Sequence, residues 1–390
     1  MTTNPRIALI TGWTNPERRS IVEICLKLLN TLEPFSSTMI WLVTNLTTEP
    51  SLDHNITVLR IKNKYIVREA SPLKLIPYYL LHQSKIVWNT LRLLPKTDIF
   101  IFATGADLFF LPMLLVRIAR KKVILRSDGR PSFVVKEHFQ RPGKTKVALL
   151  RLGETISYRL ANRILPESGC MIHLYNLERY SSKTSFWSQY IDTSAFRKTK
   201  RLTERTYDIG YIGRLIKEKG ALSFVKSLLL VLRDRHCRVI IIGDGNLRDE
   251  IEHFLSENHL QSQVDLLGWV ENGKLPDYLN DIKLVVTPSD YEGLPSGVLE
   301  AMACGTPVLA TPVGGIPDLI HDEETGFFME NNTPQCIAKN VIRSLSHPGL
   351  EQISDNAQAL IEQRYTYQVA VERFGNILES LNLKWNIISG

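Results

Sequence analysis

The chain of 390 residues is 44% hydrophobic with a net charge of +7, ordinary for a soluble chain and long enough for two domains. No apolar run reaches the roughly 18 to 20 residues of a spanning helix, and the scattered Cys25, Cys170, Cys237, Cys304 and Cys336 form neither a disulfide framework nor a metal knuckle, which points to a reducing cytosol. The charge is uneven: residues 1–200 carry 30 Lys and Arg against 14 Asp and Glu, the remainder 17 against 26, so the basic half should face nucleic acid, an anionic membrane or a phosphorylated acceptor.

The N-terminal MTTNPRIALITGW runs straight into a strand at 6–11 and lacks a secretory n-region. A turn at Gly12 and a helix over 17–32, with Pro16 near its start, follow. Further strands are expected at 38–44, 56–61, 98–103 and 123–126, with helices over 72–94 and 108–119 and a helix end and strand within 158–166. Such alternation means parallel α/β units. No G-x-G-x-x-G follows the first strand, which argues against a nicotinamide or flavin dehydrogenase. The basic residues are not interleaved with any nucleic-acid motif, so no nucleic-acid partner is expected.

Residues 192–206 are polar and charged, and 196–206 reads as a linker between a first domain (1–195) and a second (207–366). The second repeats the pattern: strands at 207–211, 238–242, 264–267, 283–287 and 307–311, and helices at 221–232, 246–256, 296–304, 334–346 and 350–363. A last helix is expected over 367–381.

Two carboxylates, Glu292 and Glu300, stand with seven residues between them in DYEGLPSGVLEAMACGTPVLA. The order there is strand, glycine-bearing turn, helix, strand, and in a doubly wound sheet that turn lies at the ligand-binding carboxyl edge. The helix N-terminus suits a phosphate. Arg214 and Lys219, in the loop Gly213–Gly220, bring a donor fork and a point charge that could converge on a diphosphate; the lesser alternative is two solvated loop charges, as Lys217 and Glu218 are expected to be. Gly243-Asp244-Gly245 is a tight strand-to-helix turn. No Asp-x-Asp occurs, which removes the usual carboxylate motif for a metal–diphosphate complex.

The E-x7-E stretch, with Gly213-Arg214-Leu215 and Lys219-Gly220, Gly243-Asp244-Gly245 and Gly314-Gly315-Ile316-Pro317, resembles the GT4 family of retaining glycosyltransferases over roughly residues 205–330. The resemblance implies an α/β GT-B fold, two Rossmann-like doubly wound parallel-sheet domains facing a central cleft, with the 367–390 tail crossing back to the first domain. It implies a sugar moved from a UDP- or GDP-sugar to a hydroxyl of a glycan or lipid-linked acceptor, with retention and no cofactor. Arg214 and Lys219 would hold the diphosphate, and Glu300 both ribose hydroxyls. Glu292 would face the sugar, with Gly213, Gly243, Gly245, Gly293, Leu294, Pro295 and Ser296 lining the donor. Pro295 replaces a common glycine and lacks an N–H. Val270, after Gly268-Trp269, would meet the nucleobase through its backbone, while Trp269 is equally read as a packed surface aromatic. Gly12 is the plausible remnant of the family's first glycine-rich turn. Where many relatives carry His-Asp this chain has Ser127-Asp128, so Asp128 becomes the candidate polar group near the anomeric carbon; otherwise it is a turn former before Gly129. His138 and His173 are possible substitutes for the missing histidine. A catalytically silent nucleotide-sugar-binding or regulatory protein is the alternative.

Finally, 62–96 mixes Lys62, Lys64, Arg68, Lys74, Lys85, Arg92 and Lys96 with Tyr65, Tyr78, Tyr79 and Trp88. With the apolar run at 108–113 it suits peripheral attachment to an anionic membrane surface at its cytoplasmic face. A helix packed on the sheet with its basic face in solvent reads the same way.

Overall fold

The computed structural model describes residues 4–13, 19–46, 55–62, 72–138, 143–187, 189–383 and 385; the side chains of 13, 19–21, 72–76, 78, 134, 136–138 and 234 lie outside the description. The chain divides into two compact units, residues 1–189 with 370–390, and residues 190–369.

The first unit is built from β1 (Arg6–Trp13), α1 (Arg19–Leu32), β2 (Thr38–Thr44), β3 (Ile56–Ile61), α2 (Pro72–Leu93), β4 (Ile99–Ala103), α3 (Phe110–Ile118), β5 (Lys122–Ser127), α4 (Pro131–His138), α5 (Lys144–Leu160), β6 (Arg163–Pro166) and α6 (Cys170–Leu174). Its sheet runs β3-β2-β1-β4-β5-β6, every pair parallel. Strands buried on both faces read as continuous apolar runs, as in IFIFA of β4. One face packs on Leu28, Leu29 and Leu32 of α1. The other packs on Ile86 of α2, Met113 and Val116 of α3 and Tyr158 of α5.

The second unit repeats the order with β7 (Tyr207–Ile212), α7 (Ala221–Asp234), β8 (Val239–Ile242), α8 (Arg248–Glu257), β9 (Val264–Gly268), α9 (Leu275–Leu279), β10 (Ile282–Thr287), α10 (Ser296–Ala303), β11 (Val308–Ala310), β12 (Phe327–Phe328), α11 (Pro334–Leu345) and α12 (Leu350–Arg364). Its parallel sheet runs β12-β11-β10-β7-β8-β9, the same doubly wound pattern with the crossover between β7 and β10. The last helix, α13 (Tyr367–Glu379), leaves this unit, and its Phe374, Ile377 and Leu378 join the α1 face of the first.

The stretch 196–206 departs from its linker reading. Phe196, Leu202 and Arg205 are buried within the second unit. The Arg205 guanidinium donates to the carbonyls of Lys200, Leu279, Ile282 and Cys304 and to Thr306 Oγ1 at 2.7–3.2 Å. Burial lowers its pKa to about 10, so it stays charged at neutral pH. Composition cannot tell a buried arginine with five acceptors from a solvated one.

Candidate functional site

The site assembles at the carboxyl ends of β7, β8 and β10, where the chain must turn sharply and closely. Gly213 donates its N–H to Ile242 O, and Gly243 to Gly268 O, which ties the ends of β7, β8 and β9 together. A Cβ on Gly243 would lie 1.8 Å from Gly213 O, and one on Gly245 2.4 Å from Leu215 O. These glycines are demanded by backbone contact between the two loops. Gly220 has φ +65 and begins α7, and a side chain there would strike Pro288 O.

Lys219 and Glu292 meet. Lys219 Nζ donates to both Glu292 oxygens at 2.5 and 2.6 Å, and Ser289 Oγ donates to Oε1 at 2.6 Å. Glu292 is buried, with only 6% of its surface exposed. Thr311 donates to Ser289 O from β11's end, and Gly315 donates its N–H to Gly293 O at 2.8 Å. Gly314, φ +60, lets this backbone pass; its Cβ would sit 1.9 Å from Glu292 O. Tyr211 Oη donates to Arg214 O at 2.9 Å beneath the first loop. Burial and then the nearby Glu292 charge push its phenol upward, so it remains a neutral donor.

Helix α10 begins at Ser296 beyond Pro295, and no side chain caps its first turn. A Cβ on Gly297 would meet nothing within 4 Å, so the first turn opens outward. Glu300 lies four residues beyond Ser296, on the same helix face and 8% exposed. Arg214 is exposed and its guanidinium meets no carboxylate among the described residues. Leu294 is buried, Val270 half-buried and Trp269 exposed beyond β9. Arg248 packs over Gly268, whose Cβ would lie 2.5 Å from its guanidinium. Basic groups, an uncapped helix start and two buried carboxylates thus gather on one sheet edge of one unit. That arrangement can hold an elongated phosphate-bearing ligand.

Gly12 and Asp128 belong to the other unit. Gly12 donates its N–H to Thr104 O, and a Cβ there would lie 2.3 Å from Gly105 O, so packing of two turns accounts for this glycine. Asp128 Oδ2 accepts the N–H of Thr104, a residue at φ +44, at 3.0 Å, and Oδ1 lies 3.1 Å from Arg126 Nε. Arg126 is buried and also pairs with Glu167 at 2.7 Å. The side chain of His138 lies outside the described residues; His173 is exposed and pairs with Glu178. Sequence reasoning missed Ser289, Tyr211, Thr311 and Arg126. Only Ser289 carried a signal, its three-residue spacing from Glu292.

The sequence model of the family described as Glycosyl transferases group 1 matches residues 192–364. An uncharacterized glycosyltransferase of Methanocaldococcus jannaschii is 30% identical over 201 residues, 48% of this chain and 51% of the relative. The alpha-D-kanosaminyltransferase of Streptomyces kanamyceticus is 32% identical over 175 residues, 44% of this chain and 45% of the relative. The chain therefore spans about half the length of these curated relatives. Anabaena HepE, solved in complex with UDP, aligns with a TM-score of 0.74 at 19% identity over 96% of this chain and all of its own. That likeness is one of fold: two Rossmann-like units of the GT-B type. The match to the glycosyl transferases group 1 family thus lies on residues 192–364, which take in nearly all of the second unit.

Proposed function

We propose that the protein transfers a sugar from a UDP- or GDP-sugar to a hydroxyl of a glycan or lipid-linked acceptor, retaining the anomeric configuration and using no metal or cofactor. The observation that carries this reading is the Lys219–Glu292 pair at the uncapped start of α10, inside the matched family region. Arg214, Lys219 and the α10 N-terminus would stabilise the departing diphosphate. Glu300 would accept from the ribose hydroxyls and Glu292 would face the sugar. The backbone of Gly213, Gly243, Gly245, Gly293 and Leu294 would line the donor, with Ser296 at the phosphates and Val270 at the base. Pro295 supplies a carbonyl there but no N–H. The bond from the anomeric carbon to phosphate breaks, that to the acceptor oxygen forms, and the acceptor proton passes to the leaving phosphate. Asp128, held by Arg126 and Thr104, is the polar group assigned to the acceptor side.

Among the described residues no group of three or more His, Cys, Asp and Glu side chains is placed to hold an ion; the proposal of metal independence rests on the absence of an Asp-x-Asp from the sequence. No helix among them is long and apolar enough to cross a membrane. We place the protein at the cytoplasmic face of an anionic membrane as a peripheral protein. Lys64, Tyr65 and Arg68 of the expected basic-aromatic segment, and the side chains of Lys74 and Tyr78, lie outside the described residues.

The experiment is a screen of UDP- and GDP-sugars for thermal stabilisation, followed by nucleotide release with acceptors. A donor that binds only the folded chain raises its melting temperature. Binding without release would favour a silent nucleotide-sugar-binding protein; no stabilisation by any donor would overturn the reading.

A further inference from the structure

Nine of the 13 large apolar side chains exposed among the described residues lie on α2, α3 and α5. The three helices lie side by side. Tyr79 of α2 donates to Leu108 O and Gln83 accepts the Leu111 N–H, while Gly153 of α5 admits Leu108 and Phe110. On α2 the exposed Leu81, Ser84, Trp88 and Leu91 recur at helical spacing, and on α3 Leu111, Leu114 and Ile118 do the same. Trp88 is 57% exposed, Ile118 71% and Leu152 of α5 58%, far more than core packing leaves open.

The charge on this face has one sign. Helices α2 and α3 contain no Asp or Glu, and the sole carboxylate of α5, Glu154, is buried against Arg130 and Ser132. Arg92, Arg117 and Arg151 stand exposed among the apolar residues. At its edge, between the end of β3 and α2, an open cavity of about 440 Å³ is lined by Arg60, Lys62, Ser84, Lys85, Trp88 and Asn89. Three cations, a hydroxyl and an amide at the foot of an exposed tryptophan suit a phosphate that arrives attached to an apolar tail.

We propose that the α2–α3–α5 face docks on an anionic lipid bilayer and that the cavity between β3 and α2 takes the phosphate of one lipid headgroup. This deepens the membrane attachment in the reading above, and makes no use of the donor site. Apolar side chains enter the headgroup boundary while the cations meet phosphates, which fits exposed tryptophan and leucine better than an acidic protein partner would.

The test is sedimentation of the full chain with vesicles of phosphatidylcholine and phosphatidylglycerol in equal parts, against phosphatidylcholine alone. The chain should sediment with the mixed vesicles only. Lys62→Gln with Lys85→Gln should weaken this about 25-fold, roughly fivefold for each cation lost at the surface. Leu114→Ser with Ile118→Ser, which leaves the charge alone, should weaken it about tenfold or more. All four residues are at least partly exposed, so melting temperature and UDP binding should stay at parental values. Equal weakening by Lys226→Gln with Lys274→Gln, exposed on the second unit, would mean that a diffuse field binds rather than this cavity. Release of the chain by millimolar inorganic phosphate at constant ionic strength would mark a free-anion site instead. Either result overturns the proposal, as does sedimentation indifferent to both pairs. Failure of the donor reading would show separately, as absent nucleotide binding.

Discussion

The Nζ of Lys219 is shared by both oxygens of Glu292, at 2.5 and 2.6 Å, in a place where the glutamate side chain is 7% exposed and the lysine 22%. A lone carboxylate so buried would repel the diphosphate of the proposed donor, and the lysine neutralises it. In the proposed donor complex the same ammonium would have to serve two anions.

The two glutamates should therefore separate. Glu292→Gln releases Lys219 for the diphosphate, so nucleotide affinity should hold or rise while the single-turnover rate falls. Glu300→Gln should weaken donor binding by about 2–3 kcal/mol, on the order of 30- to 150-fold, with a smaller change in rate. Calorimetry with single-turnover kinetics reads both. If Glu292→Gln lost affinity with its rate intact while Glu300→Gln bound normally and reacted slowly, the assignments would have to be exchanged.

On the proposed reading, in which Arg214, Lys219 and the α10 N-terminus would fill the electrostatic role a divalent ion fills elsewhere, turnover should survive EDTA with at most a several-fold change. Complete loss, restored by Mg²⁺ or Mn²⁺, would remove that role from them.

Much of this was legible beforehand, and the exceptions have physical reasons. Strands such as VIII of β8 are apolar on both faces because the sheet is covered on both. The glycines at 213, 243 and 314 announced close turns. Helix α5 escaped delimitation because Gly153, a poor helix former, stands in the middle of its sequence, and that glycine answers to Leu108, whose side chain would lie 3.0 Å from a Cβ there. Strand β12 has two residues and no pattern to read. The partners of Glu292 come from Ser289 and from Lys219, 73 positions away, a distance at which spacing carries no information.

Gly314→Ala should damage stability and site together. A non-glycine at φ +60 costs about 1–2 kcal/mol, and the Cβ, 1.9 Å from Glu292 O, would force that loop to move. Urea unfolding should show a loss of at least about 2 kcal/mol, and donor affinity should fall with it. Parental values for both would mean that this approach of backbones does not shape the site.

Asp107 should make the stability of the chain fall with pH. Burial, with Asp128 and Glu154 nearby, raises its carboxyl from 3.8 to about 8, although Ser127 Oγ donates to it at 2.7 Å. An acid raised this way contributes stability fully below its unfolded pKa and loses it as pH climbs to the folded one. His82 works oppositely: burial, then Lys85, lowers it from 6.5 to about 4, so its contribution is complete above 6.5 and lost on acidification. The two offset each other between about pH 4 and 6.5, and above that Asp107 acts alone. Relative to Asp107→Asn, the parent should lose about 1–2 kcal/mol between pH 6.5 and 8. Identical slopes in urea unfolding at those two pH values would contradict the buried neutral acid.

The return of residues 370–390 to the first unit fixes an order of completion during synthesis. The second unit, residues 190–369, is contiguous and has all its parts once Val369 leaves the ribosome. The first unit begins earlier but waits for Phe374, Ile377, Leu378 and Leu381 to close over α1. A nascent chain thus carries an unfinished N-terminal core until residues 374–381 are made, and a premature stop near residue 369 would spare the later-made unit while leaving the earlier one open.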